Sequence, residues 1–238
     1  MTDDRCAILF AKLPERGKVK SRLAHDDLDG NTVLRLYECM VLDTIDVLNR
    51  AATPFRICFD PPDAIDLVQK WLGRGHSYLP QFGGDLGERM EQAFLRVFAD
   101  GMTGAILIGS DIPGLTDNLI ADAFRSFATH DAVLGPAEDG GYYLVGFKKS
   151  TFVPGIFRHM PWSTDVVFRK TVECMRRASR SVHVLPLCAD LDTQEDLRKL
   201  LVTRNERASA GARTRRFLDQ YASSLERALT KAPPHQPR

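Results

Sequence analysis

Nowhere does the chain approach the roughly 18 uninterrupted apolar residues that a membrane span needs. Its opening, MTDDRCAILFAK, carries acids where a secretory signal would carry basic residues, so a cytoplasmic protein is expected. Cysteine is scarce. Cys6, Cys39, Cys58, Cys174 and Cys188 are odd in number, widely spaced and without a CxxC pair, which points away from both a zinc site and a disulfide framework. The histidines form no HxxxH or HxH pair, and no Ser-His-Asp arrangement stands out. Neither GxxxxGK[ST] nor GxGxxG occurs, so the standard P-loop and dinucleotide fingerprints are absent. An excess of one charge is missing too: the formal net charge is +1, which by itself says little about partners; no nucleic-acid partner is expected.

What remains is an ordinary globular composition. The chain of 238 residues is 44% hydrophobic and 26% charged, enough apolar matter for one large domain. The charge is unevenly spread. Residues 203–238 carry a net +5 and residues 1–202 a net −4, so a basic tail follows a mildly acidic body at 1–202.

Apolar, β-branched runs at Cys6–Phe10, Phe55–Phe59, Ala105–Ile108, Ala132–Leu134, Tyr142–Phe147 and Val182–Leu185 read as strands. Helical periodicity links them, through Val33, Leu34, Tyr37, Met40, Val41, Ile45 and Leu48 and again through Met90, Ala93, Phe94, Val97 and Phe98. Short, nearly all-apolar strands alternating with helices predict an α/β fold, with a mostly parallel sheet covered by helices on both faces. Such sheets expose ligands beyond the C-terminal ends of their strands. Phe217, Leu218, Tyr221, Leu225 and Leu229 form one helical stripe in the tail, expected to pack on the body or on a second subunit of a homo-oligomer, and the last few residues are expected to be disordered.

The candidate chemistry sits where those strands end. Lys12, Arg16, Lys18, Lys20 and Arg22 surround Gly17 directly after the first strand. A polyphosphate needs several cations and a backbone it can approach closely, although a solvated basic turn would look the same. Asp111 follows the run AILIG, where a carboxylate can bridge a hard divalent cation to phosphate oxygens, or can serve as a turn or cap residue before the helix near Thr116. Asp190 or Asp192 could complete that metal site, while Asp192, Thr193 and Glu195 could also be charges at a helix start. Gly83, Gly84 and Asp85 open a helix whose free N–H groups suit an anion or a nucleobase edge. Glu138 and Asp139 stand beside Gly140 and Gly141 in a predicted hairpin, and Asp139 is a candidate to orient an acceptor or take its proton. Trp162 either lines an acceptor pocket or anchors its loop, with Ser163 or Thr164 as the cap of the next helix.

Taken in order, FAKLPERGKVKSRL, QFGGDLGERM, GSDIPGL, GPAEDGGYYLVGF, MPWST and DLDTQEDL resemble a bacterial family of glycosyltransferase-A-like nucleotide-diphospho-sugar transferases, over roughly residues 5–202. The resemblance implies a Rossmann-like glycosyltransferase-A fold and a divalent cation, Mg2+ or Mn2+. It puts phosphate binding on Lys12, Lys18, Lys20 and Arg22, and the metal on Asp111 with Asp190 or Asp192. More distantly the chain is similar to phospholactate guanylyltransferase and the molybdenum-cofactor guanylyltransferases. One departure matters: Pro113 stands where glycosyltransferases of this fold usually carry the second Asp of Asp-x-Asp, and proline has no side-chain ligand.

Three functions follow as expectations. The first is glycosyl transfer from a nucleotide-sugar donor to a small-molecule acceptor. The second is nucleotidyl transfer from a nucleoside triphosphate to a phosphorylated small molecule. The third is nucleotide binding without turnover. The first two need the same basic loop and metal, since both stabilise charge growing on phosphate oxygens.

Overall fold

The structure is a computed structural model, and it describes residues 4–24, 29–202 and 211–220. Its strands are β1 (Arg5–Lys12), β2 (Phe55–Asp60), β3 (Ser77–Pro80), β4 (Gly104–Ile108), β5 (Ala132–Pro136), β6 (Tyr142–Lys148) and β7 (Val182–Val184). The helices are α1 (Gly30–Arg50), α2 (Ile65–Leu72), α3 (Leu86–Ala99), α4 (Asp117–Ser126), α5 (Val167–Arg177) and α6 (Gln194–Val202). Residues 212–220 are helical as well. Among the described residues, no helix is long and apolar enough to cross a membrane. The chain divides into two compact units, one made of residues 1–13, 45–110 and 116–188, the other of 14–44, 111–115 and 189–238.

The first unit holds the sheet, in the order β3-β2-β1-β4-β6-β5-β7. β1 pairs in parallel with β2 and β4, β2 with β3, and β5 with β7. β6 runs antiparallel between β4 and β5, so the mostly parallel α/β sheet has one reversed strand. Successive side chains of a strand point to opposite faces. Cys6, Ile8, Cys58, Ala105, Leu107, Val145 and Phe147 form one buried face with Met90, Phe94 and Phe98 of α3 and Met175 of α5. The alternate residues Ala7, Leu9, Ile57, Phe59, Ile106, Ile108 and Leu144 are buried as completely. Burial of both sets requires cover on both faces, and α4, which packs on β4 and β5 but shares no residue with the first cluster, supplies part of the second.

β3 has no clear sequence signal. Its four residues, Ser-Tyr-Leu-Pro, end in proline, which the ladder tolerates because β3 is an edge strand. The reversed strand, by contrast, follows from the turn that precedes it. Gly140 adopts φ +84°, and a β-carbon there would collide with the backbone of Asp165. Gly141 N–H donates to Asp139 Oδ1 at 2.8 Å, and Ala137 N–H donates to Gly141 O at 3.1 Å. The hairpin leaves the 137–141 turn on the sheet edge where β1, β4 and β5 end.

Helix starts in this unit are set by short polar contacts. Asp85 caps α3, accepting from Glu88 N–H at 2.8 Å, while the Glu88 carboxylate accepts from Gly84 N–H at 2.7 Å, a reciprocal capping box. Thr116 caps α4 by accepting from Leu119 N–H at 3.3 Å. The expected cap of α5 is corrected: its N-cap is Val166, without a side-chain bond, and Thr164 Oγ1 instead donates to Pro161 O at 2.7 Å. Trp162 packs edge-on against Tyr142, with ring centroids 6.4 Å apart, and lies against Gly87, where a β-carbon would come within 3.0 Å of its ring. It anchors its loop to the core.

In the second unit, Asp29 caps α1, accepting from Asn31 N–H at 2.8 Å and from Thr32 Oγ1 at 2.6 Å; these bonds hold its carboxyl below the usual pKa. α6 is capped by Thr193 and Asp196, with Glu195 an acid of its first turn as expected: Asp196 Oδ2 accepts from Thr193 N–H at 2.7 Å, and Thr193 Oγ1 accepts from Asp196 N–H at 3.3 Å. The helical segment 212–220 is capped from a distance. Buried Asp43 accepts from Arg213 N–H at 3.0 Å and Thr214 N–H at 2.8 Å. Arg35 lies over the ring of Phe217, and Phe217 and Leu218 are buried as the tail stripe predicts. Tyr221, Leu225, Leu229 and the expected disordered end lie outside the described residues.

Asp43→Ala leaves two N–H groups of the last helical segment, one buried and one part-buried, without this acceptor, and should lower stability by about 2 kcal/mol in urea denaturation. Asp85→Ala removes a cap at a more exposed helix start and should cost about 1 kcal/mol in the same assay.

Candidate functional site

The loop that follows β1 turns at Gly17, with φ +78°, and again at Lys20, whose φ of +49° is uncommon for a side-chain-bearing residue. A left-handed lysine costs about 1–2 kcal/mol and persists only where its surroundings fix it. Those surroundings are two carboxylates. Lys20 Nζ lies 3.1 Å from Asp111 Oδ2 and 3.2 Å from Asp192 Oδ1, and Arg22 Nη1 lies 3.1 Å from Asp192 Oδ2. Residues far apart in the sequence thus meet within the second unit, from the loop after β1, the loop after β4 and the loop before α6.

Exposure separates the members of this cluster. The Lys20 side chain is 6% exposed, while Asp111 and Asp192 are 39% and 34% exposed and Arg22 is 65% exposed. The ammonium is sealed and the carboxylates still face solvent. Burial alone would lower the Lys20 pKa, but the charges of Asp111 and Asp192 outweigh it and raise it above the ordinary lysine value.

None of these carboxylates is used as a helix cap. Thr116 caps α4, which frees the Asp111 side chain, and Thr193 with Asp196 caps α6, which frees that of Asp192. The main chain fixes both loops: Leu191 N–H donates to Asp111 O at 3.0 Å, and Gly211 N–H donates to Pro113 O at 3.1 Å. Asp190 is half-buried two residues before Asp192. Lys18 is exposed and pairs with Glu15 at 2.6 Å, while Arg16 packs over Gly30, where a β-carbon would meet its guanidinium at 2.8 Å.

The remaining candidates belong to the first unit. Lys12 is exposed at the end of β1, in register with Asp60 of β2. Gly84 N–H and one Asp85 oxygen are committed to the α3 capping box. That role is structural and needs no ligand. Asp139 spends one oxygen on Gly141 N–H, which stabilises the hairpin. Arg89, absent from the sequence expectations, pairs with Asp60 at 3.1 Å and donates to Gly83 O at 3.2 Å, so it ties the glycine-rich turn before α3 to the end of β2. Its only sequence signal was the GERM that opens α3.

The donor set fits a hard divalent cation in part. Asp111 and Asp192 are oxygen donors already gathered around one positive charge, which is the chemistry Mg2+ or Mn2+ prefers. Among the described residues, no group of three or more His, Cys, Asp or Glu side chains is placed to hold a metal. An ion held by two carboxylates has to complete its coordination with water and phosphate oxygens, as magnesium commonly does.

Residues 43–164 match the family described as "Uncharacterized protein conserved in bacteria (DUF2064)". No curated protein matches the chain. Among solved structures, the chain is 37% identical to a "putative nucleotide-diphospho-sugar transferase" from Desulfovibrio desulfuricans G20, with a TM-score of 0.88 over 95% of this chain and 99% of that one. A cytidylyltransferase from Leptospira borgpetersenii shares the fold at 9% identity, with a TM-score of 0.55 over 98% and 99%. So does Rv0371C of Mycobacterium tuberculosis H37Rv, solved in complex with manganese, at 18% identity and a TM-score of 0.50 over 82% and 96%. With its central 122 residues on the family pattern and a relative of that identity along almost its whole length, the chain belongs to the bacterial DUF2064 family.

Proposed function

We propose that the chain is a metal-dependent transferase that draws on a nucleotide-sugar donor and passes the sugar to a small-molecule acceptor. The observation that carries this reading is the convergence of Asp111 and Asp192 on Lys20, beside Arg22. Carboxylates and cations gathered in loops that leave parallel strands are what a diphosphate leaving group needs. The relative described as a nucleotide-diphospho-sugar transferase supports the substrate class, and the manganese complex of Rv0371C supports the ion class.

Asp111 and Asp192, with Asp190 beside them, would hold Mg2+ or Mn2+, which would neutralise charge on the leaving diphosphate. Lys12, Lys18, Lys20 and Arg22 bind the donor phosphates in this reading, and Gly17 lets the backbone approach them. Asp139 orients the acceptor hydroxyl and takes its proton as the hydroxyl oxygen attacks the sugar carbon and the bond to the nucleoside diphosphate breaks. A carboxylate with one oxygen fixed by Gly141 N–H has a set direction, which suits that task.

Pro113 favours a second reading. It removes the second carboxylate of Asp-x-Asp from the loop after β4, and a nucleotidyl transfer, with pyrophosphate leaving a nucleoside triphosphate, is the alternative. Product analysis separates the two, since a nucleoside diphosphate appears in one case and pyrophosphate in the other.

A panel of nucleotide-sugars and nucleoside triphosphates with Mg2+ or Mn2+ tests the proposal. With the active donor in hand, Asp111→Asn should lower turnover by about 100-fold or more and abolish the dependence on metal, with the melting temperature nearly unchanged. A variant that keeps wild-type metal dependence would remove Asp111 from the site. Asp139→Asn should lower kcat by about 100-fold or more while donor affinity stays close to that of the wild type. Near-normal turnover in a less stable protein would leave Asp139 with the hairpin alone.

A further inference from the structure

The cluster around Lys20 is balanced in charge before any ligand arrives. Asp111 and Asp192 bring two formal negative charges, and Lys20 and Arg22 bring two positive ones. Lys20 Nζ touches one oxygen of each carboxylate, so it stands between the two groups to which the metal role is assigned. A divalent ion binding the two oxygens that Lys20 touches needs them at about 2.0–2.1 Å, in the case of magnesium, and would be pressed against an ammonium 3.1 and 3.2 Å from those same oxygens. Like charges so close repel strongly in a half-buried setting. Entry of the metal alone would therefore turn a neutral cluster into one of net +2 and displace Lys20 from Asp111 and Asp192.

A polyphosphate reverses that balance. Its oxygens accept the hydrogen bonds that Lys20 and Arg22 give up, complete the coordination of the metal, and cancel the added positive charge. Arg22 is already exposed at the rim, where an incoming anion meets it, and Lys20 needs only to turn from carboxylate to phosphate oxygen. The strained backbone of Lys20 gives it a reason to move, since the conformation is held by the contacts that the metal replaces.

We infer that Lys20 is the resident counter-ion of the site and excludes free metal, so that the divalent cation enters only together with a polyphosphate, as a metal–nucleotide complex. This rests on the metal reading of Asp111 and Asp192 proposed above, and adds the form in which the donor is taken up and the residue that enforces it.

The test is binding of Mn2+ to the full chain, followed by water-proton relaxation enhancement, which reports protein-bound ion, with and without inorganic pyrophosphate as the probe. The wild-type protein should bind Mn2+ weakly alone and at least about tenfold more tightly with pyrophosphate. Lys20→Met should bind Mn2+ alone at least about tenfold more tightly than the wild type, because a unit positive charge has left the ion's first neighbours. Arg22→Gln, at an exposed position, should shift affinity for free Mn2+ the same way by a smaller factor, and serves if Lys20→Met does not fold. Unchanged or weaker binding of free Mn2+ in the folded variants overturns the exchange. Asp111→Asn tells the two failures apart. If it abolishes Mn2+ binding while the Lys20 and Arg22 variants show no gain, the exchange alone is wrong; if it binds Mn2+ and pyrophosphate as the wild type does, the metal assignment falls and the exchange with it.

Discussion

The candidate site depends on one buried ammonium. Two carboxylates from loops more than 80 residues apart in sequence would repel each other if they faced one another alone, and Lys20 turns that repulsion into cohesion. Its contribution is organisational before it is chemical. A buried charge pair adds little net stability over an apolar substitute, but it fixes a single arrangement of the groups that share it. The loops after β1 and β4 and before α6 are each short of regular structure, and the shared cation gives them a common reference point. Main-chain bonds from Leu191 to Asp111 and from Gly211 to Pro113 reinforce it without using side chains needed for chemistry.

Much of the fold was legible because burial on both faces of a sheet leaves short, nearly all-apolar segments. Six strands read from such runs are present close to their expected bounds. β3 was not, since four residues ending in proline at a sheet edge carry almost no hydrophobic pattern and owe their conformation to β2. The start of α5 also escaped local reasoning: Ser163 and Thr164 are good capping residues, but Gly140 O takes Phe168 N–H and so receives the helix from another element.

The site was legible in its residue types and less so in its pairings. Basic loop, Asp111 and Asp192 were all visible as charges placed where strands end, yet nothing in the sequence said that Lys20, rather than Lys18 two residues away, would be the one turned inward. The alternation of a loop is not periodic, and the left-handed turn at Lys20 decides the matter. Which carboxylates are committed to caps was equally hidden, because Asp196 and Glu195 are interchangeable in pattern and only one has the geometry. Asp43 was invisible for a different reason: its partners are backbone groups about 170 residues along the chain.

That last contact also has a bearing on how the family can drift. A carboxylate that holds a helix by main-chain N–H groups does not read the identity of the residues it holds. The main-chain bonds ask nothing of the side chains at 213 and 214, although Arg213 Nη1 also lies 3.7 Å from Asp43 Oδ1 and Thr214 is buried, whereas at Gly211 any β-carbon would run into the Asp43 carboxyl. Across relatives, the tail should then vary more freely than Gly211 and Asp43, which have to be kept together although they are far apart in the sequence.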